Sequence, residues 1–460
     1  MSPKSIIFLF LLLVSQHISA QKASDESVAA LPDWAVTVGS RTKPSGKFKA
    51  DVTKFGAVGD GQTLCTKQIQ AAIDACAEKG GGCVEFPQGV YLTGALFVKS
   101  NVEVNIGKNA TLFASSQMGD FPEIPTRVAG IELVWPSAII NVIGQKNVAI
   151  TGEGSIDGNG KIHWDRFWEM HDDYNSRGLR WAADYDCKRP RSLLVSNSED
   201  ITISGLTFLR AGFWTVQLLY STQCTVSGLT IRNNIDGYGP STDGINIDSS
   251  DHILVERCDV DCNDDNICLK AGRDADGLRV NRPTEYVLIR NCTVRRGGGL
   301  VTCGSETSGS IRHIYCTNCN SIGTYALLHI KSAMTRGGTV EDIYINKVTA
   351  DSVSYIFHCT MDWFPVYSYT QLPSEYEAKE LPPHWKALLT KVPIERGLPT
   401  FRNIFMSNIT GTNAHTFLHC VGSEKSIIDG ITLNDFYVEA QNTGEVRYTR
   451  NFSMNNVQFN

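Results

Sequence analysis

Ile201-Thr202-Ile203, Cys224-Thr225-Val226, Ile253-Leu254-Val255 and Val287-Leu288-Ile289 are four short runs of one kind, small and mostly β-branched. Upstream, Val148-Ala149-Ile150 repeats the pattern. Downstream, Ile314-Tyr315, Ile343-Tyr344-Ile345, Ile404-Phe405-Met406 and Ile428 continue it. Most neighbouring starts lie about 23 to 34 residues apart, the period range of solenoids. Many runs are followed by Gly or Asn, which mark corners, and then by a second apolar run. One coil of this size cannot bury its inward face, so stacked neighbours must supply the core. The expected fold is all-β, a single-stranded parallel β-helix. A β-sandwich would place its strands at a shorter, hairpin-like spacing.

Thr66 to Glu78 has Ile69, Ile73 and Cys76 at helical spacing and ends at Gly80-Gly81-Gly82, which predicts an N-terminal capping helix. Short strands are expected at Cys83 to Phe86, Val90 to Leu92 and Val102 to Ile106. Two segments break the rhythm. Residues 160–192 carry Trp164, Trp168, Trp181, Arg177, Arg180, Arg189 and Arg191, and residues 361–400 carry Trp363, Trp385, several Tyr and six Pro. Excursions from a regular scaffold are where binding groups concentrate. Their aromatic rings either stack on sugar faces or bury one another, and their Arg forks suit carboxylates.

The first twenty residues read as a signal peptide. Lys4 gives the positive start, Ile6 to Val14 is apolar but too short to span a bilayer, and Ile18-Ser19-Ala20 places cleavage before Gln21. The alternative is a buried N-terminal strand. Residues 21–48 are then a polar extension over the surface, and 49–460 form one β-helical catalytic domain. Export to the extracellular space, cell wall or periplasm follows, and no later stretch predicts a membrane span. The net charge of -6 and the lack of a basic run exclude nucleic acid and anionic membrane as expected partners. Export permits disulfides among the 14 Cys. Yet Cys224, Cys258, Cys268, Cys292, Cys316 and Cys359 sit in strand-like contexts as small buried side chains. Cys316-x-x-Cys319 stands alone, so no metal is expected. Sequons occur at Asn109, Asn291, Asn408 and Asn451. Nothing in the sequence sets an oligomeric state.

Ser241-Thr242-Asp243-Gly244 and Asn263-Asp264-Asp265 are separated by one coil. Gly297-Gly298-Gly299 follows one coil later and His329-Ile330-Lys331 one more, so four segments should share one face, with rungs about 4.8 Å apart. Three crowded carboxylates raise the pKa of one of them, which supplies an acid, while the others stay ionised and can activate water. An inverting glycosidase needs its two carboxyl groups about 6.5–9.5 Å apart, roughly what neighbouring coils offer. Successive strand residues face opposite ways, so Asp264 and Asp265 both reach the cleft only where the strand ends or bends. The plain alternative is a set of solvated turn carboxylates.

These residues resemble the polygalacturonase-type glycoside hydrolases of family 28. The resemblance runs from Val52-Thr53-Lys54-Phe55-Gly56-Ala57 to the C-terminal coils. Ser241-Thr242-Asp243 resembles the family's Asn-Thr-Asp, and Asp264-Asp265 its Asp-Asp pair. Gly304-Ser305-Glu306 with Ser308-Gly309, and Arg273-Asp274 with Asp276-Gly277, resemble flanking segments of its exo-acting and its bacterial or plant branches. The resemblance implies a right-handed, pectin-lyase-like β-helix and inverting hydrolysis of α-linked galacturonic acid in a pectic polysaccharide or oligosaccharide. It implies Asp264 as general acid, Asp243 and Asp265 positioning water, and no cofactor. It implies substrate binding by Lys331, and His329 and Arg273 are further candidates.

There are departures. The family's Gly-His-Gly falls on Gly297-Gly298-Gly299, so its His is absent. The Arg of its Arg-Ile-Lys falls on His329, which could carry charge at mildly acidic pH or only form hydrogen bonds. Ser241 stands for Asn, and Asn263 for the Gly before the Asp pair. These changes surround the subsites and make rhamnogalacturonan an alternative to homogalacturonan. The leading expectation is an exo-acting galacturonide hydrolase whose two excursions close the groove into a pocket. Other readings are an inactive pectin-binding solenoid and a lyase whose three Asp hold Ca²⁺.

Overall fold

The computed structural model describes residues 31–460, so the expected signal peptide and the start of the extension lie outside the described residues. Residues 34–460 form one compact unit. Among the described residues, thirty strands join in one parallel hydrogen-bonded set, with a separate antiparallel pair, Glu123–Val128 with Ile131–Pro136. The chain is a right-handed parallel β-helix.

The repeated runs stack in a single column. Val148 pairs with Ile201, then Cys224, Ile253, Val287, Ile314, Ile343 and Ile404 follow rung by rung. The last expected member, Ile428, lies three residues off; the column continues through Ile431. Every member from Val148 to Ile431 is fully buried. Each side chain therefore sits on its own kind one rung away, and the stack removes all of them from water.

The corners explain the Asn residues. Asn109, Asn291, Asn408 and Asn451 all adopt left-handed backbone, with φ from 52° to 65°. Asn tolerates that conformation better than most residues. Corner side chains also bond along the axis, Asn318 to Asn291 at 2.6 Å and Asn147 to Asn101 at 2.9 Å. So these sequon asparagines have a backbone role of their own.

Helix α1 (Thr66–Glu78) buries Ile69, Ala72, Ile73 and Cys76 against the first coils. Further along the axis, residues 34–42 lie as a strap over several rungs. Trp34 and Val38 pack on Leu254, Leu288 and Tyr344, and Ser40 Oγ meets Thr202 Oγ1 at 2.7 Å. The compact unit therefore begins before residue 49.

Of the three strand columns, one carries the site. It comprises Ile245–Asp248, Ile267–Lys270, Gly299–Cys303, Ala326–Lys331 and Tyr355–Thr360, each paired in parallel to the next. Ile267 and Leu269 face the core, so Cys268 and Lys270 face outward. Cys268 is fully buried, as expected, but on the outward side of the strand rather than in the main core. It lies under the site, with Sγ 3.4 Å from Asp265 Oδ2. None of the described Cys is in a disulfide, and all but Cys83 are buried.

The two excursions fold over this face. Residues 160–192 form helices α2 (Lys161–Ser176) and α3 (Arg180–Asp186). Residues 361–400 form short helices including Pro383–Leu389. They meet through Trp181 and Trp385, whose ring centres are 5.1 Å apart, and through Asp186, which accepts from Tyr174 Oη at 2.9 Å and Trp385 Nε1 at 3.0 Å. Trp164, Trp181 and Trp385 are buried in this packing.

Candidate active site

Asp243, Asp264 and Asp265 converge on one pocket of about 240 Å³. Asp243 lies just before the strand Ile245–Asp248 and Asp265 just before Ile267–Lys270. They sit on adjacent rungs, as the Gly244 N–H donates to Asp265 O at 2.9 Å. Residues 263 and 264 form a bend rather than strand, and this lets both Asp264 and Asp265 line the pocket. Cys262 fixes the bend by directing its thiol at Asp264 O, 2.9 Å away. Asp243 and Asp265 are buried, and Asp264 is the partly exposed member.

Two ammonium groups set the electrostatics. Lys331 Nζ donates to Asp265 Oδ2 at 2.9 Å, and Thr302 Oγ1 donates to Oδ1 at 3.0 Å. Lys270 Nζ lies 3.4 Å from Asp243 and 3.3 Å from Glu306. Burial opposes the charge of Asp265, but Lys331 and Lys270 outweigh it and hold this carboxyl well below the usual range. Burial, and then the neighbouring Asp265, pushes Asp264 up. Burial, and then Asp264, pushes Asp243 up as well. Lys270 faces Asp243, whereas no Lys or Arg forms an ion pair with Asp264 among the described residues.

Asp243 and Asp265 present carboxylate oxygens within 4.8 Å of each other. That is closer than an acid–base pair flanking a sugar would need, and it suits two acceptors sharing one water. Cys268 Sγ belongs to the same cluster. One thiol and two carboxylates that already face ammonium groups do not fit Ca²⁺, which takes six to eight oxygen ligands.

The walls come from both excursions. Arg180 and Asp184 of α3, Ser241, Trp214, Trp363, Phe364 and Tyr367 all line the pocket. Arg180 donates to Asp184 at 2.6 Å and lies 5.6 Å above Phe364 and 5.5 Å above Tyr367. Lys331 Nζ lies 4.4 Å from the Trp363 ring centre and Lys270 Nζ 5.0 Å from that of Trp214. The arrangement is a concave site with five carboxyl groups, three cations and two indoles.

The sequence profile of the glycosyl hydrolases family 28 matches residues 82–377. The chain belongs to this family. It is 32% identical over 321 residues to a probable polygalacturonase of Vitis vinifera, covering 68% of this chain and 62% of that one. It is 28% identical over 335 residues to an exo-poly-alpha-D-galacturonosidase of Dickeya chrysanthemi, covering 64% and 53%. The chain therefore spans less than two thirds of the length of these relatives. Among solved structures, an exopolygalacturonase of Thermotoga maritima superposes with a TM-score of 0.77 at 24% identity, covering 93% and 94%. The polygalacturonase from Erwinia carotovora gives 0.68 at 20%, covering 90% and 98%. At such identities the structural likeness establishes the β-helix.

Within this family 28 framework, two expected binding residues need correction. Arg273 does not reach the pocket. It is fully buried, donating to Tyr185 Oη at 2.9 Å and Tyr367 O at 2.7 Å, so it clamps the excursions behind the wall. His329 is also outside the pocket lining, and burial together with Lys331 drives its pKa well below the usual value. It is therefore uncharged. Nor does it share the Asp column: His329 aligns with Thr302 and, one rung further back, with Cys268, three residues past Asp265. Lys331 does line the pocket.

Gly298 sits one rung from Asp264, with its N–H donating to Asp264 O at 2.9 Å. A Cβ there would lie 2.2 Å from Asp265 Oδ1. In this chain the glycine makes room for the Asp265 carboxylate, and a His could enter only if that carboxylate moved.

Sequence reasoning missed Lys270, Asp184 and Trp214, and gave no role to Glu306. A signal for Lys270 existed. Cys268-Leu269-Lys270 follows the same outward–inward–outward pattern as His329-Ile330-Lys331, and the two triplets align two rungs apart. No comparable pattern marks Asp184 or Glu306, which come from a helix and a turn.

Proposed function

We propose that this protein hydrolyses α-galacturonide bonds at the end of a pectic chain by single displacement with inversion. Asp264 gives its proton to the glycosidic oxygen as the bond to the anomeric carbon breaks. One water, held between Asp243 and Asp265, attacks that carbon from the opposite face and gives up a proton to them. Lys331, Lys270 and Arg180 offer the positive charge that a uronate carboxylate needs, and Trp214 and Trp363 offer ring faces for the sugar.

The observation that carries the reading is the set of three Asp, two of them paired with Lys, on the floor of a pocket walled by both excursions. The family match and the polygalacturonase relatives support the substrate class. The wall formed by Arg180, Phe364 and Tyr367 supports action at a chain end.

The test is the time course of products from oligogalacturonides and from rhamnogalacturonan oligosaccharides. The reading expects one short product from the first minutes, released from galacturonide ends. A ladder of intermediate oligomers from the start rejects exo action. Absence of turnover on all of these substrates rejects the hydrolase reading.

A further inference from the structure

Beyond Lys331 the outer face of the site sheet changes character. His329, His358 and His419 occupy one column on three successive rungs. The His329 and His358 rings lie 4.9 Å apart edge to face, and those of His358 and His419 lie 4.7 Å apart and stacked. Tyr325 flanks them, 5.1 Å from Tyr355 and 5.3 Å from His358 between ring centres. Tyr325 is 40% exposed, and Tyr355 and His419 are half-buried, so the ladder has an accessible surface.

Three observations give this ladder a ligand. It is continuous with the active site: the Tyr325 N–H donates to Gly297 O, and Thr302, which holds Asp265, pairs with His329. Only the glycine floor 297–299 separates the carboxylates from Tyr325. Second, both ring nitrogens of His329 and Nδ1 of His358 are buried without a hydrogen-bond partner. Buried polar atoms nearly always have one, and such an exception marks a functional place. Third, the charge pattern changes. The pocket has Arg180, Lys270 and Lys331, whereas residues 355–360 and 415–421 contain no Lys or Arg, and Arg447 on the rung beyond His419 is already paired with Glu445. Burial also lowers His358 to about 3, so its imidazole adds no cation.

We propose that the ladder of Tyr325, Tyr355, His358 and His419 holds the sugar rings that remain outside the pocket. It reads them as uncharged rings, by stacking and by hydrogen bonds to hydroxyls, without pairing to their carboxylates. The inference rests on the reading that the pocket takes the terminal uronate. The consequence is specificity: only the sugar entering the pocket needs a free carboxylate, and methyl-esterified galacturonates are accepted along the ladder.

The test compares kcat/KM for digalacturonate, tetragalacturonate and a tetramer methyl-esterified at every residue except the one entering the pocket. The wild type should prefer the tetramer over the dimer by about tenfold, the size of a few aromatic–ring contacts. The esterified tetramer should fall within about threefold of the free one. Tyr355→Ala and His419→Ala should each bring the tetramer-to-dimer ratio down toward one. A loss above about tenfold on esterification, or an unchanged ratio in both variants, overturns the proposal. Should the wild type turn over none of these, calorimetric binding of both tetramers to wild type and Tyr355→Ala still decides the ladder. In that case equal, Tyr355-dependent binding supports the ladder while the hydrolase reading falls.

Discussion

The inward and outward sides of the site strands follow different rules although they alternate along one backbone. In Ile267–Lys270, Ile267 and Leu269 join a column of aliphatic neighbours, while Cys268 and Lys270 meet a carboxylate cluster. The inward side repeats, because each rung offers the same apolar contact to the next. The outward side does not repeat: Asn246, Cys268, Thr302 and His329 follow one another in a single column. A repeat scaffold thus confines its chemistry to one non-repeating face, and stability and activity should be separable by parity along a strand.

The largest effect expected is from Asp264→Asn, an outward substitution. Loss of the general acid should lower kcat by about 10²–10⁴-fold. Melting temperature should be unchanged or raised, since the change removes a carboxyl that is repelled by the neighbouring Asp265. Steady-state kinetics with thermal melting checks both halves.

Lys270→Met would strain the separation. It leaves Asp243 and Glu306 buried without their shared ammonium, and breaking such a set costs roughly 3–5 kcal/mol. Here an outward residue should reduce stability and turnover together, measured by denaturant unfolding and kinetics. Ile247→Ala is the inward counterpart. Its side chain is fully exposed to the core and not to water, so the cavity should cost about 2–5 kcal/mol. KM should persist at temperatures where the variant stays folded.

How much of this was legible follows from the same contrast. The inward column shows in the sequence because β-branched residues recur where the physics recurs, and all but its last expected member took their places. The three Asp were legible because they sit on adjacent rungs of that repeat. Arg273 was misplaced because its neighbours in space, Tyr185 and Tyr367, belong to two excursions whose path no period predicts. Asp184 and Glu306 escaped for that reason. The strap at 34–42 was legible only as a polar segment, since its register comes from single contacts such as Ser40 with Thr202.

A smaller effect concerns stability against pH. Asp243 and Asp264 have raised values in the folded chain, so the stability they support is full below about pH 3.8, the ordinary Asp value, and declines as pH rises through their folded values. Asp265 and Asp274 are held low, so their contribution is present above that ordinary value and is lost as pH falls through their folded values. Melting should therefore be best in mild acid and weaken by a few degrees toward alkaline pH, and Asp264→Asn should flatten that decline.

The most direct test of the account is the pH profile of kcat/KM on a short oligogalacturonide. The proposed role of Asp264 as proton donor predicts an alkaline limb, tenfold per pH unit, with a midpoint above the ordinary Asp value of about 3.8. It also predicts that the residual activity of Asp264→Asn lacks this limb. A wild-type profile with no such limb, or the same limb persisting in Asp264→Asn, would contradict Asp264 as the acid.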